Sequence, residues 1–361
     1  MKSMYIHIPF CRNICSYCDF CKIFYNENTV NKYLKKLKEE IINNYKKDEL
    51  ETIYIGGGTP SSLNIYQLKE LFSIIKDFNL SKNLEFTMEF NIEDVTEEKL
   101  KLIKSYGINR ISVGIETIND KYFKLLNRKN NEIDIMNKIR LCKRYFSNIS
   151  VDLMYGFNGE TIDDLDKELN LIKKLDVDHV SIYSLILEKN TKLYIDEYHP
   201  IDEELENKMY YHIIDVLENM GYDHYEISNF SRDGKASKHN LNYWNNEEYY
   251  GFGLGASGYV DSCRYTNTRS ITKYLKGDTI LYREYIDTKT KMEEELICGL
   301  RKMEGISKSK FKLKFNKNVE DVFDINSLLE QKLLMEDDDY IYIPKDKLYV
   351  SNNILLNFII V

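Results

Sequence analysis

Residues 4–18 read MYIHIPFCRNICSYC. The apolar residues of 4–8 predict a strand, and Cys11, Cys15 and Cys18 follow it in a loop with the spacing C-x3-C-x2-C. Three thiolates suit a 4Fe–4S cluster, which ordinarily takes four ligands, so one iron keeps an open position. The rival reading is a structural zinc site that recruits Cys21 as fourth ligand. Four of the seven cysteines crowd into residues 11–21, whereas Cys142, Cys263 and Cys298 stand alone and read as buried thiols. In a chain with no secretory signal, such clustering points to metal binding, not to a disulfide framework.

Outward from this stretch the chain alternates strand and helix. Helix 30–46 leads to strand 52–55, helix 64–78, strand 84–90, helix 96–106 and strand 109–115. Helices 119–127 and 131–146, strand 149–155, helix 161–175, strand 178–185 and helix 203–220 follow. Six βα units in succession imply an α/β protein with a parallel sheet covered by helices. Loops at the carboxyl ends of such strands carry the chemistry in barrel-like sheets, and each motif below falls on such an end. The expected division is 1–221 for this unit, 222–285 for a loop-rich segment closing its side, and 286–361 for a small unit. The last should hold helices at 290–303, 307–315 and 326–334 and short strands at 340–343 and 347–350, a winged-helix-like arrangement.

The formal net charge of -8 argues against nucleic acid as a partner. The stretch MKSMYIHIPFC lacks the apolar core of a signal peptide, and no run approaches the roughly 20 apolar residues of a membrane span, so a cytoplasmic protein with at most peripheral membrane contact is expected.

GGGTP, residues 56–60, follows the second strand directly. Its glycines let backbone N–H groups approach a ligand closely. Glu89, Glu116 and Asp152 stand on or at the ends of successive strands, where carboxylates accept bonds from ribose hydroxyls or an amino group. Arg128 is placed to pair a carboxylate. An open iron beside such a pocket suits S-adenosylmethionine (SAM), whose amino and carboxylate groups chelate the iron before a C–S bond is broken reductively.

YIHIPFC, CSYCDF, GGGTP, SVGIE, LNR and DLMYG together resemble the coproporphyrinogen dehydrogenase-like (HemN-like) branch of radical SAM proteins, along nearly the whole chain. HNLNYW at 239–244, preceded by YEISNF at 225–230, resembles the haem-chaperone branch of that family, HemW. Cys11 comes almost at once, and position 20, where coproporphyrinogen dehydrogenases carry a further cysteine, is Phe. The resemblance implies a partial (β/α)6 radical SAM barrel with a small C-terminal domain. It places SAM against Tyr5, Tyr17, Gly57, Gly58, Thr59, Glu89, Glu116, Arg128 and Asp152. Glu116 and Glu160 stand where the family usually has Gln, and Asn158 where it has Pro. The resemblance further implies haem as cargo, respiratory haem proteins as acceptors, and an electron donor such as flavodoxin or ferredoxin. His239 is the candidate haem ligand, flanked by Tyr243 and Trp244; the alternative is that HNxxYW pins a loop onto the barrel. Two enzyme readings stand beside the chaperone: oxygen-independent coproporphyrinogen III oxidase and another radical SAM haem-modifying activity.

Overall fold

A computed structural model describes residues 2–128 and 131–359. Six parallel strands run through the first two-thirds: β1 (Ser3–Ile8), β2 (Leu50–Gly57), β3 (Leu80–Asn91), β4 (Arg110–Glu116), β5 (Ile149–Tyr155) and β6 (His179–Ser184). They lie side by side in that order. Between them run α1 (Glu27–Asn44), α2 (Ile65–Ile75), α3 (Glu97–Ser105), α4 (Asp120–Leu126), α5 (Glu132–Lys143) and α6 (Ile162–Leu175), and α7 (Glu203–Asn219) follows β6. Polar caps start the helices: Asn26, Thr96 and Thr161 each accept a backbone N–H of the first turn of α1, α3 and α6.

Side chains alternate across each strand. On β4, Ile111, Val113 and Ile115 are fully buried in the core, while Arg110, Ser112, Gly114 and Glu116 line the other face. On β3, Phe86, Met88 and Phe90 join the core and Glu89 and Asn91 point the other way. Most parallel sheets are apolar on both faces. This one is polar on its inner face, and that face lines a cavity of about 460 Å³.

Residues 222–285 are more ordered than their glycine content suggests. β7 (Asp223–Glu226) and β8 (Asn229–Ser231) extend the sheet antiparallel beyond β6. After α8 (Lys238–Trp244), β9 (Tyr249–Phe252) pairs in parallel with the free side of β1, giving a seventh parallel strand. β10 (Ser257–Val260), β11 (Cys263–Asn267) and β12 (Ile280–Tyr285) complete a twelve-stranded sheet. The loop-rich reading of 222–285 is thus corrected. Its glycines serve close approach: a Cβ at Gly251 would lie 1.8 Å from the Ser257 carbonyl oxygen of the next strand.

In residues 286–359 the three expected helices appear as Thr288–Gly299, Lys308–Phe315 and Ile325–Glu330. The expected strand at 347–350 does not form; Lys345–Lys347 and Ser351–Leu355 are helical. The partner of Tyr340–Tyr342 is Met335–Asp337, with Ile306–Ser307 on its other side. Between the paired strands Asp338 takes a left-handed conformation (φ 47°) and closes a hairpin turn.

Candidate functional site

The cluster loop is fixed from several sides. Phe10–Cys11 pairs with Ile23–Phe24, through Ile23 N–H to Pro9 O (2.8 Å) and Tyr25 N–H to Cys11 O (2.8 Å). Arg12 donates to Ser62 O at 3.0 Å, and Asn127 to Ile14 O at 3.3 Å. Ser16 donates to Leu125 O, and Ser16 O accepts from Leu193 N–H. Cys11, Cys15 and Cys18 thereby line one cavity with Tyr17. Burial pushes all three thiols up, Cys18 to about 11. The three thiols face one shared cavity. Cys21 is absent from that wall. It is buried behind the loop against Gly255, and its carbonyl oxygen bonds His7 Nε2 at 2.7 Å.

Gly57, Gly58 and Thr59 continue the cavity wall. Gly57 has φ +116°, and a Cβ there would strike the His7 ring at 2.5 Å. A Cβ on Gly58 would lie 2.6 Å from the Pro9 carbonyl carbon and 3.0 Å from Cys11 Sγ. Only glycine lets this backbone lie so close to the cluster loop. Thr59 Oγ1 points at Cys11 Sγ, 3.5 Å away. The Glu89 carboxylate accepts from Tyr54 OH (2.8 Å) and Gly57 N–H (2.9 Å), and burial raises it to about 7.

β4 ends in a register shift beside β5, and Glu116 adopts φ +69°. Its carboxylate accepts from Arg128 Nη2 at 3.0 Å, while Arg128 Nη1 reaches Glu93 at 3.3 Å. Ser112 Oγ lies 3.2 Å from both oxygens of Asp152. Burial raises both Glu116 and Asp152. The structure thus gathers Tyr17, Gly57, Gly58, Thr59, Glu89, Glu116, Arg128 and Asp152 around the three cysteines. These thiols, glycine backbone and buried carboxylates fit a 4Fe–4S cluster with SAM beside it, since Arg128 Nε is buried without a partner and the cradle has no room for side chains.

Two expected residues lie elsewhere. Tyr5 is not on the cavity wall; its hydroxyl bonds His7 Nδ1 at 2.9 Å and its ring stacks on Tyr54. His239 is 1% exposed, in α8, beneath the cavity floor. Its Nδ1 bonds Thr52 Oγ1 (2.8 Å), its Nε2 bonds Tyr243 OH (2.8 Å), and its ring stacks under Tyr54 at 5.2 Å. Glu85 accepts the Lys238 and His239 N–H groups at 3.0 Å each. α8 therefore plugs the amino-terminal end of the barrel, and both His239 nitrogens are engaged. The sequence reading missed His7, Tyr54 and Arg110. Alternation along the strands could have placed the last two on the inner face.

The radical SAM superfamily model matches residues 5–172, and that of the HemN C-terminal domain matches 286–345. The chain is 38% identical to Heme chaperone HemW of Bacillus subtilis (strain 168), covering 99% of each chain. The chain belongs to the HemW family. It is also 38% identical to Heme chaperone HemW of Lactococcus lactis subsp. lactis (strain IL1403), covering 99% of this chain and 97% of that one. The structure of coproporphyrinogen III oxidase (HemN) from Escherichia coli superposes with a TM-score of 0.87 at 20% identity, covering 99% of this chain and 89% of that one. The chain thus has the α/β radical SAM fold, and family membership implies a 4Fe–4S cluster and SAM. No helix among the described residues is long and apolar enough to cross a membrane.

Proposed function

We propose that this protein is a haem chaperone: it binds haem and passes it to respiratory haem proteins in the cytoplasm or at the membrane surface. The observation that carries the reading is likeness along the whole chain to proteins called Heme chaperone HemW, with the HNxxYW helix present. In this reading Cys11, Cys15 and Cys18 hold the cluster, and the GGGTP backbone with Glu89, Glu116, Arg128 and Asp152 holds SAM. When bound, the pair supplies one-electron chemistry at the SAM sulfonium, fed by a donor such as flavodoxin or ferredoxin. The buried carboxylates orient SAM, and the thiols give up their protons to bind iron. Residues 1–221 form the barrel, 222–285 complete its sides and floor, and 286–361 form the winged-helix-like unit. His239 serves in the floor, where its bond to Thr52 and its stack on Tyr54 hold α8 against β2.

The test is anaerobic reconstitution followed by haem titration, haem transfer to a membrane acceptor, and product analysis with coproporphyrinogen III, SAM and reductant. Haem binding with transfer and no decarboxylated product is expected. Protoporphyrinogen formation would overturn the chaperone reading in favour of the oxidase, and a modified haem would point to a haem-modifying enzyme.

A further inference from the structure

Arg110 has no part in the cluster or SAM contacts described above. It opens β4, is 2% exposed, and lines the cavity below Ser112. Arginine stays charged at any working pH, and burying a charge without a partner is strongly unfavourable. Yet among the described residues no hydrogen bond or ion pair reaches this guanidinium, and its Nε is buried unsatisfied. Arg128, in the same cavity, is by contrast engaged by Glu116 and Glu93. Asp152, on the same cavity wall, feels the charge of Arg110 but makes no ion pair with it; its oxygens are bonded by Ser112 instead. The neighbouring imidazoles are also occupied: His179 bonds Ser150 and Tyr225, and His239 bonds Thr52 and Tyr243. Burial, and after it the charge of Arg110, hold His239 down at about 3, so neither imidazole competes for an anion as a cation.

We propose that Arg110 is the floor of a carboxylate subsite inside the barrel. A carboxylate descending past Ser112 takes the paired N–H donors of the guanidinium, a geometry that arginine offers and lysine does not. Arg110 lies six positions before Glu116 on one strand, about 20 Å at ~3.3 Å per residue. The subsite therefore lies below the shelf at the strand ends, deeper in the same cavity. Two sources could supply the carboxylate: a free small acid, or the acid arm of a larger ligand. Under the haem reading, on which this second source rests, that arm is a propionate.

The test uses reconstituted full-length protein, Arg110→Gln and Arg110→Lys, with SAM binding and circular dichroism confirming that each variant is folded. Acetate and propionate are titrated by calorimetry, and haem is compared with haem dimethyl ester. In the first arm, saturable one-to-one binding of a small acid is expected, weakened about thirtyfold or more in Arg110→Gln and less in Arg110→Lys. Equal wild-type affinity for haem and its ester would then assign the site to a free acid. In the second arm, wild type prefers haem over the ester, and the preference disappears in Arg110→Gln. Wild type that binds haem, shows no saturable small-acid binding and treats haem and ester alike would overturn the subsite while leaving the chaperone reading standing. Wild type that binds neither haem nor small acids would overturn both. Small-acid binding or a haem preference unchanged in folded Arg110→Gln would remove Arg110 from the site.

Discussion

Replacing Glu160 by Gln tests how the turn beneath the cluster loop is held. Glu160 is 3% exposed, and its Oε2 accepts from Gly156 N–H (2.6 Å) and Phe157 N–H (3.0 Å). The turn seats Phe157 against Tyr122, in a small core with Leu193, whose N–H bonds Ser16 in the cluster loop. Burial raises the carboxyl from 4.5 to about 7, although both backbone N–H bonds pull it down. The folded state then holds this proton more tightly than the unfolded state does. Between those two values the folded chain binds more protons, so stability falls as pH rises through the window and the full penalty is present above pH 7. At about 1.4 kcal/mol per unit, a gap of roughly 2.5 units costs on the order of 3 kcal/mol. A glutamine carbonyl accepts the same two bonds without a charge. Glu160→Gln should therefore be more stable than wild type by on the order of 1–3 kcal/mol at pH 8, and nearly equal at pH 5. Glu89, Glu168 and Glu226, also raised to about 7, are common to both proteins and cancel in the difference. Urea unfolding of both proteins from pH 5 to 8.5, followed by circular dichroism, measures it. A difference independent of pH, or a wild type more stable at pH 8, would refute the reasoning.

Cys11→Ala, Cys15→Ala and Cys18→Ala should each abolish the brown chromophore and bound iron after anaerobic reconstitution, while Cys21→Ala retains them; iron analysis decides, and loss in Cys21→Ala alone would reject the ligand set. Gly57→Val forces a left-handed backbone onto a branched side chain and drives it into His7, so SAM affinity measured on cluster-loaded protein should fall about tenfold or more. His239→Ala removes two buried hydrogen bonds and a ring stack beneath Tyr54, and should lower stability by about 2–4 kcal/mol while leaving the spectrum of bound haem unchanged. A shifted haem band in folded His239→Ala would instead put that imidazole on the iron.

The order of the strands and the place of the motifs were legible because both rest on local pattern. Apolar runs separated by amphipathic helices announce βα units, and each motif stands where a strand ends. The seventh parallel strand was not legible. Residues 249–258 carry Gly251, Gly253, Gly255 and Gly258, which locally read as loop, and only the proximity of β1 and β10 turns that segment into strand. The hairpin at 335–342 was hidden in the same way, behind an acidic run whose Asp338 makes the turn.

The sequence by itself determined the cluster thiols and the glycine cradle, because covalent spacing within one loop fixes which side chains can share a ligand. It also determined the parallel sheet, because hydrophobic period is a local property. Tertiary structure alone decided what each distant side chain faces. It gave Arg128 to Glu116 and Glu93, turned Tyr5 and Cys21 away from the cavity, and locked His239 between Thr52 and Tyr243. It also left the Arg110 guanidinium buried at the barrel floor without a hydrogen-bond partner among the described residues. These pairings join residues as far apart as Thr52 and His239, and whether a polar group is satisfied depends on what packing brings to it, which no local pattern encodes.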